Sequence, residues 1–532
     1  MSAALPGVRR PLMAALALGT ALVAGTAGAQ NITLLRELDS PNYDPQRQTA
    51  QASAEIVFML GDTLVSLDPD MKTLHPGLAE SWTVSDDGLT YTFKLRDDVS
   101  FCSGKKMTAA DAAWTFNRLI DPATKSPAAW RAGKVEHIKA LDDNTLEWKL
   151  KEPYSELLDQ LTQSFTVVMN EDNLKQLGEN FGIAGFDGTG PFCWGEWTPR
   201  DKMVLKRHDA YKWGPAFYEN KGPAKIETVT WQIVPEGNTR AVALMTGQAD
   251  MTYYMPHFAI GQLRAMPGFR VQREDLAAWT QYFGFKIDKP TVSDINVRKA
   301  ITMALNTAAM NEDIYFGELQ PARTYIHPSA KDFVPGLEET IPAYDVEAAN
   351  KLLDDSGWAK GSDGIREKDG VRLAPVIYLL GGSNWAMASE YLQGELRKIG
   401  IDLQIQQFDA TVGWSKLATQ EFDMYGMGYP YLSAGDALNL NFVSSNMPSP
   451  NRVNWNDPET DAWLMEGKHA LNDADRAEAY GKALKKVHEN FLWLPFYHTP
   501  MTIVANERVK PVTAHSIYGA ALYKGLDLEL AQ

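Results

Sequence analysis

Between residues 278 and 287, aromatic and apolar side chains recur at period two on one face, and a further aromatic residue lies on the other face. A short run that is apolar on both faces is typical of an interior strand. Pro290 then ends the strand, and Ser293 or Asp294 can cap the next helix. Residues 297–305 are apolar at i, i+3, i+4, i+7 and i+8, which predicts a helix with one apolar face. We expect the central strand to be a crossing between two lobes, with a ligand beside it.

Strand and helix patterns alternate on both sides of this crossing. Residues 228–253 predict a strand, a helix and a second strand, which together form a βαβ unit. Residues 375–405 predict a second unit of the same kind. A strand at 422–429 follows, and residues 430–450 are expected to form a long loop. The alternation predicts an α/β fold, and a chain of 532 residues is long enough for about three domains.

The first 29 residues have the pattern of a secretory signal peptide. Arg9 and Arg10 precede an apolar stretch at 11–25, and Ala27-Gly28-Ala29 is a small-residue cleavage site. We expect cleavage after Ala29, export to the periplasm and a soluble mature chain. A retained membrane anchor is the alternative. No later stretch is apolar enough to predict a membrane span.

Charge and cysteine content limit the partners. The formal net charge is −16 and no basic block occurs, which argues against nucleic acid or anionic lipid as a partner. Cys102 and Cys193 are the only cysteines. Because an exported chain meets an oxidising compartment, we expect them to form one disulfide. Two separate buried thiols are the alternative.

Motifs for catalysis or metal binding are missing from the sequence. No G-x-S-x-G and no H-E-x-x-H motif occurs. The nine histidines are scattered, without a close ligand pair. We therefore expect no catalytic residues, no metal and no cofactor. A secreted hydrolase whose site is assembled from distant residues is the rival class.

Aromatic residues are the most prominent candidates for ligand contact, with 15 Trp, 20 Tyr and 20 Phe. Most will pack in the core, but rings in a cleft can stack on sugars or hold side chains. The candidate ligand-binding residues are Tyr43, Trp279, Tyr282, Trp385, Phe408, Trp414, Tyr429, Tyr431 and Asp436.

Several motifs together resemble those of a known family. L-A-E-S-W at 78–82 is followed by D-G-L-T-Y-T-F-K-L-R at 87–96, and the pattern continues through 99–118. G-T-G-P-F at 188–192 and the segment 297–306 carry it further. In combination they resemble the extracellular solute-binding proteins, family 5, of ABC importers, which include the oligopeptide- and dipeptide-binding proteins.

The resemblance implies a two-lobed α/β periplasmic-binding-protein fold with three domains and a hinge. The first lobe would be discontinuous, with residues 30–60, 186–276 and 491–532. Residues 61–185 would form an added domain of the first lobe, and residues 277–490 the second lobe. The protein would be a monomer that delivers a small solute to an ABC transporter permease in the inner membrane, without chemistry.

The motifs at the expected ligand site differ from those of the family's long-peptide binders. Long-peptide binders of the family carry an arginine where Gly426 stands here, and Pro430-Tyr431-Leu432 replaces the acidic residue that follows. Gly435, Asp436 and Asn439 resemble part of the dipeptide-type G-D-x-x-N pattern. We expect a peptide as ligand, with an oligosaccharide or another non-peptide solute as the alternative.

Overall fold

The computed structural model describes residues 30–381 and 383–531, without the side chains of 276–278, 383–384, 410–411, 429 and 518. The expected signal peptide, residues 1–29, and the side chain of Tyr429 lie outside this description.

The strands alternate with helices along most of the chain. They are β1 (Asn31–Arg36), β2 (Val65–Leu67), β3 (Leu74–Pro76), β4 (Ala79–Val84), β5 (Thr90–Leu95), β6 (Val135–Asp142), β7 (Thr145–Leu150), β8 (Phe192–Thr198), β9 (Lys202–Arg207), β10 (Thr228–Ile233), β11 (Met251–Thr252), β12 (Phe269–Phe285), β13 (Gln320–Pro321), β14 (Ala359–Lys360), β15 (Arg366–Lys368), β16 (Val371–Arg372), β17 (Val376–Leu380), β18 (Gln404–Phe408), β19 (Met424–Pro430) and β20 (Trp493–Asn506).

The α-helices are α1 (Gln51–Leu60), α2 (Ala109–Ile120), α3 (Leu157–Gln160), α4 (Glu171–Leu177), α5 (Gly237–Met245), α6 (His257–Ala265), α7 (Ile295–Ala304), α8 (Thr307–Tyr315), α9 (Val346–Asp355), α10 (Ser383–Lys398), α11 (Ala410–Ala418), α12 (Ala434–Asn441), α13 (Pro458–His469) and α14 (Asp473–Glu489). None of the helices that the structure describes is long and apolar enough to cross a bilayer.

One large mixed sheet joins the two halves of the molecule. Its strand order is β18-β17-β19-β12-β20-β11-β1-β10-β9-β8, and β13 pairs with β20. Strands from the second lobe lie at one end and strands from the first lobe at the other. The long antiparallel strands β12 and β20 connect them, so the expected crossing is a two-stranded connection.

The pairing of β12 with β20 is interrupted within the crossing. Glu274 pairs with Met501, the register then shifts, and pairing resumes between Trp279 and Thr499. An irregularity of this kind bends a strand locally and weakens its ladder. The interruption lies at the position where the sequence predicts the boundary between the two lobes, and a second register shift follows between Gln281 and Tyr282.

The hydrophobic core is divided in a similar way. Phe283 and Phe285 of β12 pack into one cluster on one face of the second-lobe sheet. Tyr282 and Trp493 belong to another cluster on the opposite face. A further cluster is built on the sheet β4-β5-β7-β6 and helix α2, and it extends to Phe58 of α1 and to Tyr523 near the C-terminus. Because adjacent residues of a strand point to opposite faces, a run that is apolar on both faces becomes buried on both sides.

The disulfide prediction is confirmed. Cys102 and Cys193 are bridged, with Cα atoms 5.7 Å apart. Cys102 follows β5 in the added domain, and Cys193 lies on β8 of the first-lobe sheet. The bridge therefore ties the added domain to the first lobe.

The prediction of a long loop at 430–450 is wrong, because this segment contains helix α12. Ser433 caps this helix by accepting a hydrogen bond from the backbone N–H of Asp436. Gly435 and the asparagines of this segment are weak helix formers, which hid the helix in the sequence. Residues 434–438 are buried, so tertiary packing and the cap supply what the local propensity does not.

Candidate ligand-binding site

The second-lobe strands create a crevice at their carboxyl ends. β17 is parallel to β18 on one side and to β19 on the other. The chain runs from β17 through α10 to β18, and then through α11 to β19 on the far side of β17. In open α/β sheets, ligands bind in the crevice outside the carboxyl ends of the strands, at such a reversal of strand order. The site is therefore expected beside Pro430, where β19 ends.

Strand β19 has an edge that is free of pairing at this crevice. Its ladder with β12 runs from Met424 to Pro430. Its ladder with β17 ends at Tyr425. The backbone from Gly426 to Pro430 is thus paired on one side only, as far as the described ladders extend. Unpaired N–H and C=O groups of such an edge can accept another extended chain.

Two glycines and two indoles shape one face of β19. It is the face of the sheet to which Phe283 of the paired strand β12 also points. Gly426 and Gly428 lie on this face, where a side chain would otherwise project. A Cβ on Gly426 would lie 3.0 Å from Cε3 of Trp385, and one on Gly428 would lie 3.6 Å from Cε3 of Trp279. Gly426 therefore makes room for the indole of Trp385, whereas the indole of Trp279 lies at ordinary contact distance from the Cβ position of Gly428.

Trp385 is held by aromatic neighbours. It lies in the first turn of α10, and its ring packs edge-on against Phe283 and Phe496 at centroid distances of 6.0 and 5.5 Å. Its side chain is half-buried. Edge-to-face contacts of this kind fix a ring without closing off its second face. Trp385 is thus a rigid wall of the crevice.

The first lobe reaches the crossing at Trp279. Gln51, at the start of α1, donates a hydrogen bond of 3.3 Å from Nε2 to the carbonyl oxygen of Gly519. A Cβ on Gly519 would clash with the Gln51 amide and would lie 3.0 Å from Nε1 of Trp279. Gly519 has φ +70°, a conformation that favours glycine. Both lobes therefore meet at the base of the crevice.

The polar groups in this part of the crossing carry no formal charge. Gln281 donates from Nε2 to Thr499 Oγ1 at 3.0 Å. Thr280 Oγ1 lies 3.1 Å from Nδ1 of His498. Burial lowers the pKa of His498 to about 3 and that of His327, whose ring packs against it, to about 4. Both imidazoles are therefore neutral at pH 7, and the site offers amides and hydroxyls.

Two of the predicted site residues lie together on the opposite face of the sheet. Tyr282 is stacked on Trp493 with a centroid distance of 3.7 Å. Its hydroxyl lies 3.3 Å from the hydroxyl of Tyr431, which accepts a hydrogen bond of 3.0 Å from Asn441. Tyr282 and Tyr431 are buried. In this conformation they support β19 and α12 from behind.

The other predicted site residues are spread over the molecule. Tyr43 is buried in the first-lobe core, against Trp194 and Trp197. Phe408, at the end of β18, packs against Tyr378. Trp414 on α11 is 55% exposed. Among the predicted aromatic residues whose side chains the structure describes, Trp279 and Trp385 lie at the crevice.

Asp436 lies in a buried contact between the added domain and the second lobe. Its Oδ1 is 2.5 Å from Nη1 of Arg131. Ser433 donates a hydrogen bond of 2.6 Å to Oε1 of Glu156. Burial raises the pKa of Glu156 to about 7, with Ser433 opposing the shift and Asp436 adding to it. No local pattern in the sequence predicts this contact, because its partners are about three hundred residues apart.

Nothing in the described residues forms a plausible metal site. The one group of metal-ligand side chains with convergent atoms is Cys102, Cys193 and His208. Both sulfurs form the disulfide. Because cysteine binds metal as a thiolate, these two sulfurs are not available as ligands.

Comparison with known proteins gives a consistent assignment. Residues 73–448 match the model of the bacterial extracellular solute-binding proteins, family 5. The glutathione-binding protein GsiB of Escherichia coli O6:K15:H31 is 26% identical over 504 residues, which cover 92% of this chain and 93% of that protein.

Solved structures share the fold. The oligopeptide-binding protein AppA from Bacillus subtilis, in complex with a nonapeptide, superposes with a TM-score of 0.81 at 21% identity, covering 95% of this chain and all of that one (100%). NikA from Brucella suis, in complex with Fe(III)-EDTA, superposes with a TM-score of 0.82 at 25% identity, covering 94% and 100% of the two chains. The two-lobed α/β fold expected from the sequence is confirmed.

Proposed function

The chain belongs to the bacterial extracellular solute-binding proteins of family 5, and we propose that within this family it captures a short peptide between its lobes. The observation that carries the proposal is the unpaired edge of β19 from Gly426 to Pro430. A relative that matches over nearly the whole chain is named a glutathione-binding protein, and glutathione is itself a tripeptide. A peptide is therefore the class of solute that the strand edge and this relative both favour.

The peptide would bind by adding a strand to this edge. Strand addition supplies affinity through main-chain hydrogen bonds, while pockets for alternate side chains supply specificity. Gly428, which is only half-buried, has no side chain that would keep a second backbone away. At a rise of about 3.3 Å per residue, the free edge accommodates roughly three to four residues of an extended peptide. The pockets beside Trp279 and Trp385 would receive side chains of the peptide.

Capture would close the lobes about the crossing. The interrupted pairing between Glu274 and Trp279 is the natural place for bending. A ligand that contacts both lobes only when they are closed favours the closed state by its differential affinity. We propose that a monomer in the closed state presents the solute to an ABC transporter permease in the inner membrane, and that the solute is delivered unchanged.

An oligosaccharide is the second candidate ligand, because two indoles flank the site. Trp279 and Trp385 could each stack on a sugar ring. The uncharged polar groups around Gln281 also suit sugar hydroxyls. An oligosaccharide would not pair with the edge of β19, and this difference allows an experiment to distinguish it from a peptide.

A panel of solutes tests the proposal by calorimetry. Glutathione and trialanine represent peptides, and maltotriose represents oligosaccharides. We expect a peptide to bind and to be recovered unchanged. A trialanine with its central amide N-methylated keeps the side chains but loses a main-chain donor, and it should bind at least tenfold more weakly. Equal affinity for the methylated peptide, or binding of maltotriose alone, would contradict strand addition. Hydrolysis of a bound solute would instead support an enzyme.

The proposed export can be tested separately. We propose that residues 1–29 are removed as a signal peptide in the periplasm. The intact mass of the exported protein should correspond to a chain that begins at Gln30, and a chain that retains Ala29 or Arg10 would contradict this cleavage.

A further inference from the structure

The added domain and the second lobe meet in a buried polar contact, which we call the closure seam. The added domain contributes Arg131, Glu156, Asp159 and Gln160, and the second lobe contributes Lys331, Ser433, Asp436, Asn439 and Tyr480. The two sides of this seam lie on opposite sides of the hinge. They can therefore form these contacts only when the lobes are closed.

Most charges in the closure seam are paired across it. Arg131 pairs with Asp436 at 2.5 Å, and its Nη1 also donates to Gln160 at 2.7 Å. Lys331 pairs with Asp159 at 2.9 Å. Each pair takes one residue from each side of the seam. Removing one partner would leave a buried charge without compensation, which costs far more than an exposed ion pair supplies.

Glu156 is the carboxylate of the seam that has no cation in direct contact, among the residues that the structure describes. Its partners are neutral: the Ser433 hydroxyl at 2.6 Å, the Tyr480 hydroxyl at 3.3 Å and the Asn439 amide at 3.5 Å. The residue is 2% exposed. Burying an ionised carboxylate without a cation is costly, and such a group is neutralised by a proton instead.

We propose that the closure seam holds the lobes shut and that Glu156 takes up a proton as they close, so that acidity favours the closed state. Glu156 is then a positioning residue: it touches no ligand, but its protonation decides how readily the seam forms. The inference rests on the proposed opening and closing of the lobes, and not on the identity of the ligand.

The charges that face Glu156 agree with this direction. Burial is the main cause that raises its pKa from 4.5 to about 7, and Asp436 and Asp159 add to the increase while Arg476 opposes it. Burial also raises the pKa of Asp159, against the effect of Lys331. The phenols of Tyr154 and Tyr480 stay neutral, since burial raises the pKa of each well above 10.

The sign follows from proton linkage. When the lobes open, Glu156 meets water and returns to an ordinary pKa near 4.5. The closed state therefore binds more protons than the open state between pH 4.5 and 7. The stabilisation of the closed state by this proton is fully present below pH 4.5 and is lost as the pH rises through about 7. In that window the closed-to-open ratio changes by up to about tenfold per pH unit.

At the rim of the seam lies a second titratable group, His469. Its ring lies 3.4 Å from Oε1 of Glu152, beside Lys468 at 3.8 Å from the same oxygen. This contact also joins the two sides of the seam, because Glu152 belongs to the added domain and His469 to the second lobe. The experiment must therefore separate Glu156 from His469.

Interlobe distance in the ligand-free protein is the direct measurement. Leu141 of the added domain and Met465 of the second lobe are 50% and 49% exposed, so Leu141→Cys with Met465→Cys provides a dye pair across the seam. The native cysteines are bridged and stay unlabelled without reductant. After refolding from denaturant to remove bound solute, we expect energy transfer to fall as the pH rises from 5 to 8.

Three variants decide the cause. Glu156→Gln, a neutral isostere, should keep the lobes closed and flatten the pH profile, whereas His469→Gln should preserve it. Arg131→Met should open the lobes at every pH, with the fold checked by circular dichroism. The inference is overturned if the unmutated protein shows no pH response, if Glu156→Gln keeps it, or if His469→Gln abolishes it. Because no solute is added, failure of the peptide proposal would not affect this result.

Discussion

Trp385 and Gly426 occupy one space on the second-lobe sheet: a Cβ on Gly426 would lie 3.0 Å from Cε3 of the indole and 2.8 Å from Cδ2 of Leu379. The indole can rest on β19 only because Gly426 has no side chain. This relationship sets both the position of the aromatic wall and the access to the strand edge.

Gly426→Ala should displace Trp385 and weaken peptide binding. The added methyl group has no space, and overpacking typically costs about 1–3 kcal/mol. We expect the affinity for the peptide to fall at least tenfold, measured by calorimetry. Gly394→Ala is the matched control, since Gly394 lies on α10 with no atom within 4 Å of the Cβ position. It should bind normally and gain about 0.5–1 kcal/mol in stability. Normal binding by Gly426→Ala would place the ligand elsewhere.

Replacement of the crevice indoles should weaken binding with little effect on the fold. Trp279→Ala or Trp385→Ala removes an aromatic contact of about 1–3 kcal/mol to a bound solute. Trp414→Ala is the comparison, because the sequence placed it in the cleft while its ring lies on the surface, 5.5 Å from the guanidinium carbon of Arg452. A surface change should alter affinity by less than about 0.5 kcal/mol. If Trp414→Ala alone weakens binding, the site lies beside α11.

Loss of the disulfide should destabilise the first lobe. The bridge spans a sequence separation of 91 residues, and bridges that close long loops contribute roughly 2–5 kcal/mol. The double variant Cys102→Ser with Cys193→Ser should unfold at lower denaturant concentration. Solute affinity should stay within about twofold, since neither residue lies at the crevice. Titration of the unfolded, non-reduced protein should find no free thiol, and two thiols per chain would refute the bridge in solution.

The stability of the fold should decrease in acid through His488. Burial lowers the pKa of His488 to about 3, and its ring nitrogens bond to the backbone N–H of Tyr325 at 3.1 Å and to Thr340 at 2.9 Å. In the unfolded chain this histidine has an ordinary pKa of about 6.5. The contribution of neutral His488 to the free energy of unfolding is therefore fully present above pH 6.5 and is lost as the pH falls toward 3. The loss is at most about 1.4 kcal/mol per pH unit.

Denaturant midpoints at pH 8 and pH 5 measure this effect. His488→Gln removes the titrating group, so its midpoint should change less between the two pH values than that of the unmutated protein. An identical change in both proteins would assign the acid sensitivity to other buried groups. The sign is opposite to that of Glu156, where acidity favours closure, so unfolding and lobe closure report separate residues.

Local patterns in the sequence predicted many of the elements and their order, but they missed helix α12. Period-two alternation predicted the second-lobe part of β12, and helical spacing predicted α7, because these periods follow from backbone geometry. Two cysteines in a chain expected to be exported predicted the bridge between Cys102 and Cys193. The motifs that begin at residue 78 indicated the family, which the family model confirms.

Tertiary packing alone decided which side chains form the site. The sequence analysis selected both Tyr282 and Trp279 as candidate aromatic residues, but they lie on opposite faces of β12. Tyr282 is buried behind the sheet, whereas Trp279 lies against the first lobe. Arg131 and Asp436 are 305 residues apart. Their pairing, and the isolation of Glu156 among neutral partners, depend on how two separately folded surfaces dock. Docking removes water from specific charges, and this desolvation is a property of the folded molecule that no local pattern of residues encodes.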